Sequence, residues 1–325
     1  MAKLLDRDAS PASSDRHEQA ALGELLGALR ARAYHFVTIT PASHARVVAR
    51  PGRDRAQSLT DVFGWSLRFE RSAIDAEIVE LLDAAGALER DGLLWRSAVR
   101  VSSLGGELYL HSAYPTDQPD AVFFGPDSYR FVRFIEAELA PLQPAPQACI
   151  VDIGTGAGVG AIAAAKRLGA QAAIGTDVNP KALGFAVINA RAAGVALQPI
   201  LGTELDGVER GIDVALANPP YIADDDAREY SDGGGMLGGE VALEMTRSAV
   251  ERLAPGGRLL LYTGSAIVRG EDRLRSELAR LVESSGCSLR YAELDPDVFG
   301  EELERAAYRD VDRIAVVGAV MKAPE

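Results

Sequence analysis

Cys149-Ile150-Val151-Asp152-Ile153-Gly154-Thr155-Gly156-Ala157-Gly158-Val159-Gly160 is a short apolar run that ends in an acid and then alternates glycines. Ala161 to Arg167 continues as a helix, so the stretch reads strand, tight turn, helix, the arrangement with which α/β folds bind nucleotides. Glycines at 154, 156 and 158 let the backbone reach positive φ and approach a ligand with no Cβ in the way. By itself the stretch also fits a permissive dinucleotide fingerprint, through Gly156, Gly158 and Ala161.

Two later stretches bear on the choice. Ala172-Ala173-Ile174-Gly175-Thr176-Asp177-Val178-Asn179-Pro180 is an apolar strand ending in an acid, and a carboxylate there accepts hydrogen bonds from a ribose diol. Asp213-Val214-Ala215-Leu216-Ala217 is a buried strand that runs into Asn218-Pro219-Pro220-Tyr221. Dinucleotide binding gives no reason for that tetrapeptide at a strand's C-terminal end. Amino methylation does.

Asp152-x-Gly154-x-Gly156-x-Gly158, then Asp177, then Asn218-Pro219-Pro220-Tyr221 resembles a class I S-adenosylmethionine-dependent methyltransferase. The tetrapeptide narrows the resemblance to the branch that methylates planar amino nitrogens. That branch holds glutamine-N5 enzymes of translation proteins and adenine-N6 or guanine-N2 enzymes of RNA and DNA. The resemblance covers roughly residues 121–325. It implies a Rossmann-like α/β sheet, mostly parallel with the last strand antiparallel, and S-adenosyl-L-methionine as cofactor. It assigns cofactor contacts to Asp152, Gly154, Thr155, Gly156, Gly158, Asp177, Val178 and Asn218. Glu204 is placed beside the adenine amino group, where the family commonly has Asp. Phe124 and Pro126, in the segment before the glycine motif, are placed over the methionine end.

The chemistry explains the tetrapeptide. Methyl transfer from a sulfonium is an in-line displacement in which the cofactor brings the reactive group. An amide or exocyclic amine is a poor nucleophile because its lone pair is delocalised. The Asn218 side-chain carbonyl and the Pro219 backbone carbonyl can each accept one N–H, orienting the nitrogen and stabilising the positive charge that develops. Consecutive prolines fix φ and hold that carbonyl rigidly, and Tyr221 can stack on the planar group. Asn218, Pro219 and Tyr221 are therefore the catalytic candidates. No Cys or His nucleophile is needed.

The chain has 325 residues, net charge −13 and a pI near 4.9, which argues against broad binding to phosphate backbones. The charge is uneven: six arginines and two histidines lie between Arg30 and Arg55, against Asp54 alone, and such a cluster can be a local nucleic-acid footprint. No uncharged apolar run reaches the roughly 18 residues that span a bilayer. The acidic N-terminus is no secretory signal, and two cysteines imply no disulfide framework, so a cytoplasmic protein is expected. His17, His35, His44 and His111 are scattered and suggest no metal.

Residues 1–16 read as a disordered tail, 17–118 as a smaller N-terminal α+β domain for substrate recognition or dimerisation, and 119–325 as the methyltransferase domain. Helices are expected from Gln19 to Ala33, Leu59 to Trp65 and Ala73 to Gly86, followed by short strands with a hairpin at Gly105-Gly106. That order suggests a winged-helix-like module, with a homodimer as one use for it. Phe131, Phe134 and Ile135 mark a helix that Asp127 or Ser128 caps. Between Tyr221 and Ala249 a polar, glycine-rich insert reads as a lid or binding loop. Its Gly238-Gly239-x-x-Ala242-Leu243 ending resembles the glutamine-N5 enzymes, whereas Ser231-Asp232 stands where those enzymes often carry Glu-Pro.

A glutamine amide of a translation protein is the expected acceptor, through the acidic charge and the Gly-Gly segment. An RNA or DNA base is the alternative, through the arginine cluster. A non-catalytic cofactor-binding protein is the third reading.

Overall fold

The computed structural model describes residues 13–202, 205, 207–208, 211–222 and 233–325. The expected tail (1–12 of it), Glu204 and most of the polar insert lie outside the described residues.

Strands that are apolar on both faces must be covered on both, and they form the centre of one sheet. These are β5 (Ile150–Ile153) and β8 (Ile212–Ala217), with β6 (Ala172–Asp177) beside β5 and β7 (Ala196–Leu201) at the edge. β7 is largely exposed, and an edge is where Pro199 is tolerated within a strand. Beyond β8 lies β9 (Leu253–Val268), to which the two-residue β10 (Glu271–Asp272) attaches. β12 (Arg313–Lys322) and β11 (Ser288–Asp295) complete the order β11-β12-β9-β8-β5-β6-β7. β7, β6, β5, β8 and β9 run parallel to their neighbours in the sheet, and β12 is antiparallel to both β9 and β11. This is a mostly parallel, Rossmann-like sheet with its last strand antiparallel, as the resemblance implied.

The helices alternate with these strands. α5 (Pro126–Leu139) precedes β5, α6 (Val159–Leu168) follows it, and α7 (Pro180–Ala192) joins β6 to β7. α7 starts with Asn179 accepting the Lys181 N–H at 2.9 Å and Pro180 in the first turn, a strong start signal. α8 (Gly235–Gly238) and α9 (Glu240–Val250) follow the insert, and α10 (Arg273–Ser285) is capped by Asp272, which accepts the Arg275 N–H at 3.0 Å. Leu253, Ala254, Pro255, Gly256 and Gly257, a stretch with the turn-forming Pro-Gly-Gly, are part of β9. A register shift opposite Ile212 and Val214 and a positive φ at Gly256 absorb the extra residues.

Ahead of the sheet come α1 (Ser13–Ala31), α2 (Pro41–Val48), α3 (Leu59–Phe63) and α4 (Ala76–Ala84). Two hairpins follow, β1 (Leu88–Asp91) with β2 (Leu94–Ser97), and β3 (Val99–Leu104) with β4 (Glu107–Ser112). Gly105 and Gly106, both at positive φ, make the expected tight turn between β3 and β4. α7 is buried nearly all round, because it faces the sheet on one side and α1 and β4 on the other. One continuous apolar cluster runs from Leu25 and Leu29 of α1 through Phe185 of α7 to Ile150 and Val214 of the sheet.

Candidate active site

The C-terminal ends of β5, β6 and β8 open into one cavity of about 400 Å³. This is where an open α/β sheet is expected to bind ligands. Asp152, Gly154, Thr155 and Gly156 line it from the first turn, Asp177, Val178 and Asn179 from the second, and Asn218 to Ile222 from the third. Val241 and Met245 of α9 and Phe299 close further sides.

The glycine turn is held by its neighbours. The Thr155 N–H donates to the Thr176 carbonyl at 2.8 Å, and the Gly156 N–H donates to Asp177 Oδ2 at 2.9 Å. The Asn179 N–H donates to Asp177 Oδ1 at 2.9 Å, so the Asp177 carboxylate is oriented from both sides at the edge of the cavity. Gly158 does not line the cavity. It is the left-handed N-cap of α6, φ +81°, and a Cβ there would stand 3.2 Å from Ala186 of α7. Its part is helix packing and turn geometry, which is the usual demand on a third glycine in such a motif.

Asp152 is 1% exposed and accepts from the Thr155 hydroxyl and the Ala161 N–H, each at 2.8 Å on Oδ2. Burial pushes its carboxyl up to about 7, against those two hydrogen bonds. Val178 is 45% exposed, an apolar side chain left open beside the Asp177 carboxylate.

The segment before the glycine motif differs in detail from expectation. Phe124 is buried and stacks on His111 with centroids 5.0 Å apart, and neither Phe124 nor Pro126 lines the cavity. Phe123, Asp127 and Ser128 do. Pro126 is instead the first residue of α5, where its missing N–H leaves no bond unmade. Ser128 takes the capping role, accepting the Gly125 N–H at 3.3 Å. Asp127 turns inward and accepts hydrogen bonds from the hydroxyls of Tyr221 and Tyr262, the latter at 3.1 Å. Nothing local in the sequence marks this, because the two tyrosines lie 94 and 135 residues away.

Tyr221 is wedged by its surroundings. Its ring lies on Gly264 of β9, where an added Cβ would stand 2.2 Å from it, and meets Phe299 edge-on at 5.7 Å. The Gly238 backbone packs on the Tyr221 carbonyl so closely that a Cβ would come within 2.2 Å, at φ +94°. Gly238, the first glycine of the Gly-Gly segment, is thus explained by close approach to the Asn-Pro-Pro-Tyr loop.

His44 and His111, from the N-terminal part, do not line the cavity. His111 is fully occupied between the Ser102 hydroxyl at 2.7 Å and the Ser112 carbonyl at 3.2 Å, and burial holds its imidazole well below the usual range. His44 packs on Tyr114 and Trp65, pushed down to about 4 by burial and by Arg100. The arginine cluster is largely neutralised by acids from later in the chain. Arg30 meets Glu107 at 2.5 Å, Arg32 meets Asp75 at 2.5 Å and Glu77 at 2.7 Å, Arg53 meets Asp61 at 3.3 Å and Arg55 meets Glu70 at 2.6 Å. A count within the window found only Asp54, because the partners come from residues 61–107. Among the described residues, no helix is long and apolar enough to cross a membrane.

The residues present fit S-adenosyl-L-methionine. Asp177 suits a diol, exposed Val178 suits an adenine face, and Asp152 is a buried acid suited to a cationic group. Residues 137–281 match the family described as Methyltransferase small domain. The chain is 36% identical over 183 residues to the release factor glutamine methyltransferase of Cereibacter sphaeroides, covering 52% of this chain and 60% of that one. It is 29% identical over 291 residues to the enzyme of the same name from Moorella thermoacetica, covering 81% of this chain and 95% of the other. The first curated relatives it matches are spanned over 60%, 56% and 55% of their own length. A solved structure of M. jannaschii TYW2 in complex with AdoMet aligns with TM-score 0.46 and 15% identity, over 70% of this chain and 87% of that one. The sequence likeness is therefore to class I S-adenosylmethionine-dependent methyltransferases of the glutamine-N5 branch, and S-adenosyl-L-methionine is the cofactor of that class.

Proposed function

We propose that the protein transfers a methyl group from S-adenosyl-L-methionine to a glutamine side-chain amide of a translation protein, a peptide-chain release factor being the first candidate. The observation that carries this is the convergence of three loops on one cavity: the glycine turn, the Asp177 turn and Asn218-Pro219-Pro220-Tyr221. The names of the relatives support the acceptor.

The cofactor supplies an electrophilic methyl group when bound. The chain's residues do the rest. Asp177 and Val178 hold the nucleoside part, and Asp152 sits beside the glycine turn as a counter-charge. Asn218 Oδ1 and the Pro219 carbonyl accept the two amide protons and so turn the nitrogen lone pair toward the methyl. The nitrogen would gain the methyl as the methyl's bond to the cofactor sulfur breaks, leaving a neutral thioether, and would release one proton to solvent. Tyr221 bounds the planar amide. Acid partners for four of the six clustered arginines, Arg30, Arg32, Arg53 and Arg55, weigh against a nucleic-acid acceptor.

The test is labelled-methyl transfer from S-adenosyl-L-methionine to a recombinant bacterial release factor, with its glutamine replaced by alanine as control. Label is expected in the wild-type acceptor alone. Asn218→Ala should lower turnover by about 100-fold or more, the scale seen when one oriented polar group is lost from a reacting centre, with cofactor affinity within a few-fold. Asp177→Ala should instead weaken cofactor binding by calorimetry. Label that enters nuclease-sensitive material would move the acceptor to RNA or DNA.

A further inference from the structure

We propose that Asp127 is a positioning residue for methyl transfer: its carboxylate fixes the Tyr221 ring, and through it the Asn218-to-Tyr221 loop, against β9. This rests on the reading of the site given above.

Asp127 is 5% exposed and borders the cavity, in the first turn of α5, where the helix N-terminus favours a negative charge. Oδ2 accepts the Tyr221 hydroxyl. Oδ1 accepts the Tyr262 hydroxyl at 3.1 Å and lies 3.2 Å from Arg130, which also contacts Asp295 at 3.2 Å. A carboxylate with two acceptor oxygens can serve two phenols at once, and the guanidinium gives the buried acid a counter-charge. Three elements therefore meet at one side chain: α5, the loop after β8, and β9. Burial pushes the Tyr221 phenol well above its usual range, so it stays a donor at any working pH.

The consequence reaches the reacting centre through stiff covalent links. Pro219 and Pro220 fix two successive φ angles, so the placement of the Tyr221 ring limits where the Pro219 carbonyl points. With Asp127 removed, Tyr221 keeps its packing on Gly264 and Phe299 but loses the bond that sets its rotation and depth. A displacement of about 1 Å at a reacting group can lower rate by roughly a hundredfold.

The protein labelled with 3-fluorotyrosine gives one fluorine resonance assignable to Tyr221 by its absence in Tyr221→Phe. Asp127→Ala should shift and broaden that resonance, and Asp127→Asn, which keeps the shape and one acceptor oxygen, should restore part of it. An unmoved resonance in Asp127→Ala overturns the proposal. In methyl transfer to the release factor, Asp127→Ala and Tyr221→Phe should each lower kcat by about 10- to 100-fold with the cofactor Kd within a few-fold. The double variant should fall no further than the worse single one, since both act through one hydrogen bond. Additive losses would assign Asp127 a separate, structural part and defeat the idea. If wild-type protein passes no label to the release factor, the acceptor reading fails while the fluorine measurement still decides the role of Asp127.

Discussion

Asp152 carries an ionisation that folding opposes. Its two hydrogen bonds both land on Oδ2, but burial outweighs them and its carboxyl rises from 3.8 to about 7. The sign follows directly: a raised carboxyl stabilises the fold below about pH 4, and that contribution is lost as pH climbs through about 7. Asp152→Asn keeps one oxygen to accept both bonds and removes the ionisation. Without cofactor, the variant should therefore melt higher than wild type at pH 8, by at most about 4 kcal/mol, and the gain should shrink toward pH 5. With the cofactor, whose methionine part carries a positive charge, the variant should bind more weakly at pH 8. Melting curves and calorimetry across pH 5–8 check both, and a difference flat with pH would remove the argument. Asp152 and Asp177 were legible from sequence because each ends an apolar strand. Asp127 was legible only as a helix-cap candidate, since its partners arrive by tertiary folding.

Among elements, β9 shows how one strand face supports the Asn218-to-Tyr221 loop. Tyr262 and Gly264, two residues apart and so on one face, supply a hydroxyl to Asp127 and a bare Cα beneath the Tyr221 ring. Gly264 is not at positive φ, so alanine is conformationally acceptable there and the obstacle is the ring, 2.2 Å from the new Cβ. Gly264→Ala should leave cofactor affinity within a few-fold and lower methyl transfer about 10- to 100-fold by displacing Tyr221. Unchanged turnover would show that the ring position is irrelevant to rate. The central strands could be read from sequence because burial on both faces leaves a continuous apolar run, as in β5 and β8. β11 could not, because as an edge strand it shows exposed and half-exposed residues in alternation with no apolar core. α10 is legible in hindsight from its own residues, an Asp272 cap and Leu274, Leu278 and Val282 on one face. α2, with only His44 fully buried among eight residues, offered little beyond Thr40-Pro41 at its start.

Across the whole molecule, the N-terminal helices and hairpins share their apolar cluster with the sheet rather than closing a core of their own. Asn189 of α7 is the polar pin at that contact. It is 0% exposed, its Oδ1 accepts the Leu110 N–H at 2.8 Å, and its Nδ2 donates to the Leu110 carbonyl at 3.0 Å and the Ala157 carbonyl at 2.9 Å. One side chain thus joins β4 of the N-terminal part to the glycine turn that borders the cavity. Glu107 of β4 adds ion pairs to Arg30 of α1 and Lys166 of α6, at the same seam. Because the shared cluster is continuous, scanning calorimetry should show one cooperative transition for both parts. Asn189→Leu leaves three buried backbone groups without their partner, at about 1 kcal/mol or more each, and should lower that single transition by about 5 °C without splitting it. The same change frees the Ala157 carbonyl, so cofactor affinity should weaken although Asn189 does not border the cavity. Two separate transitions in either protein would mean that the seam is a docking contact between independently stable bodies, and the link from β4 to the glycine turn would then carry no coupling.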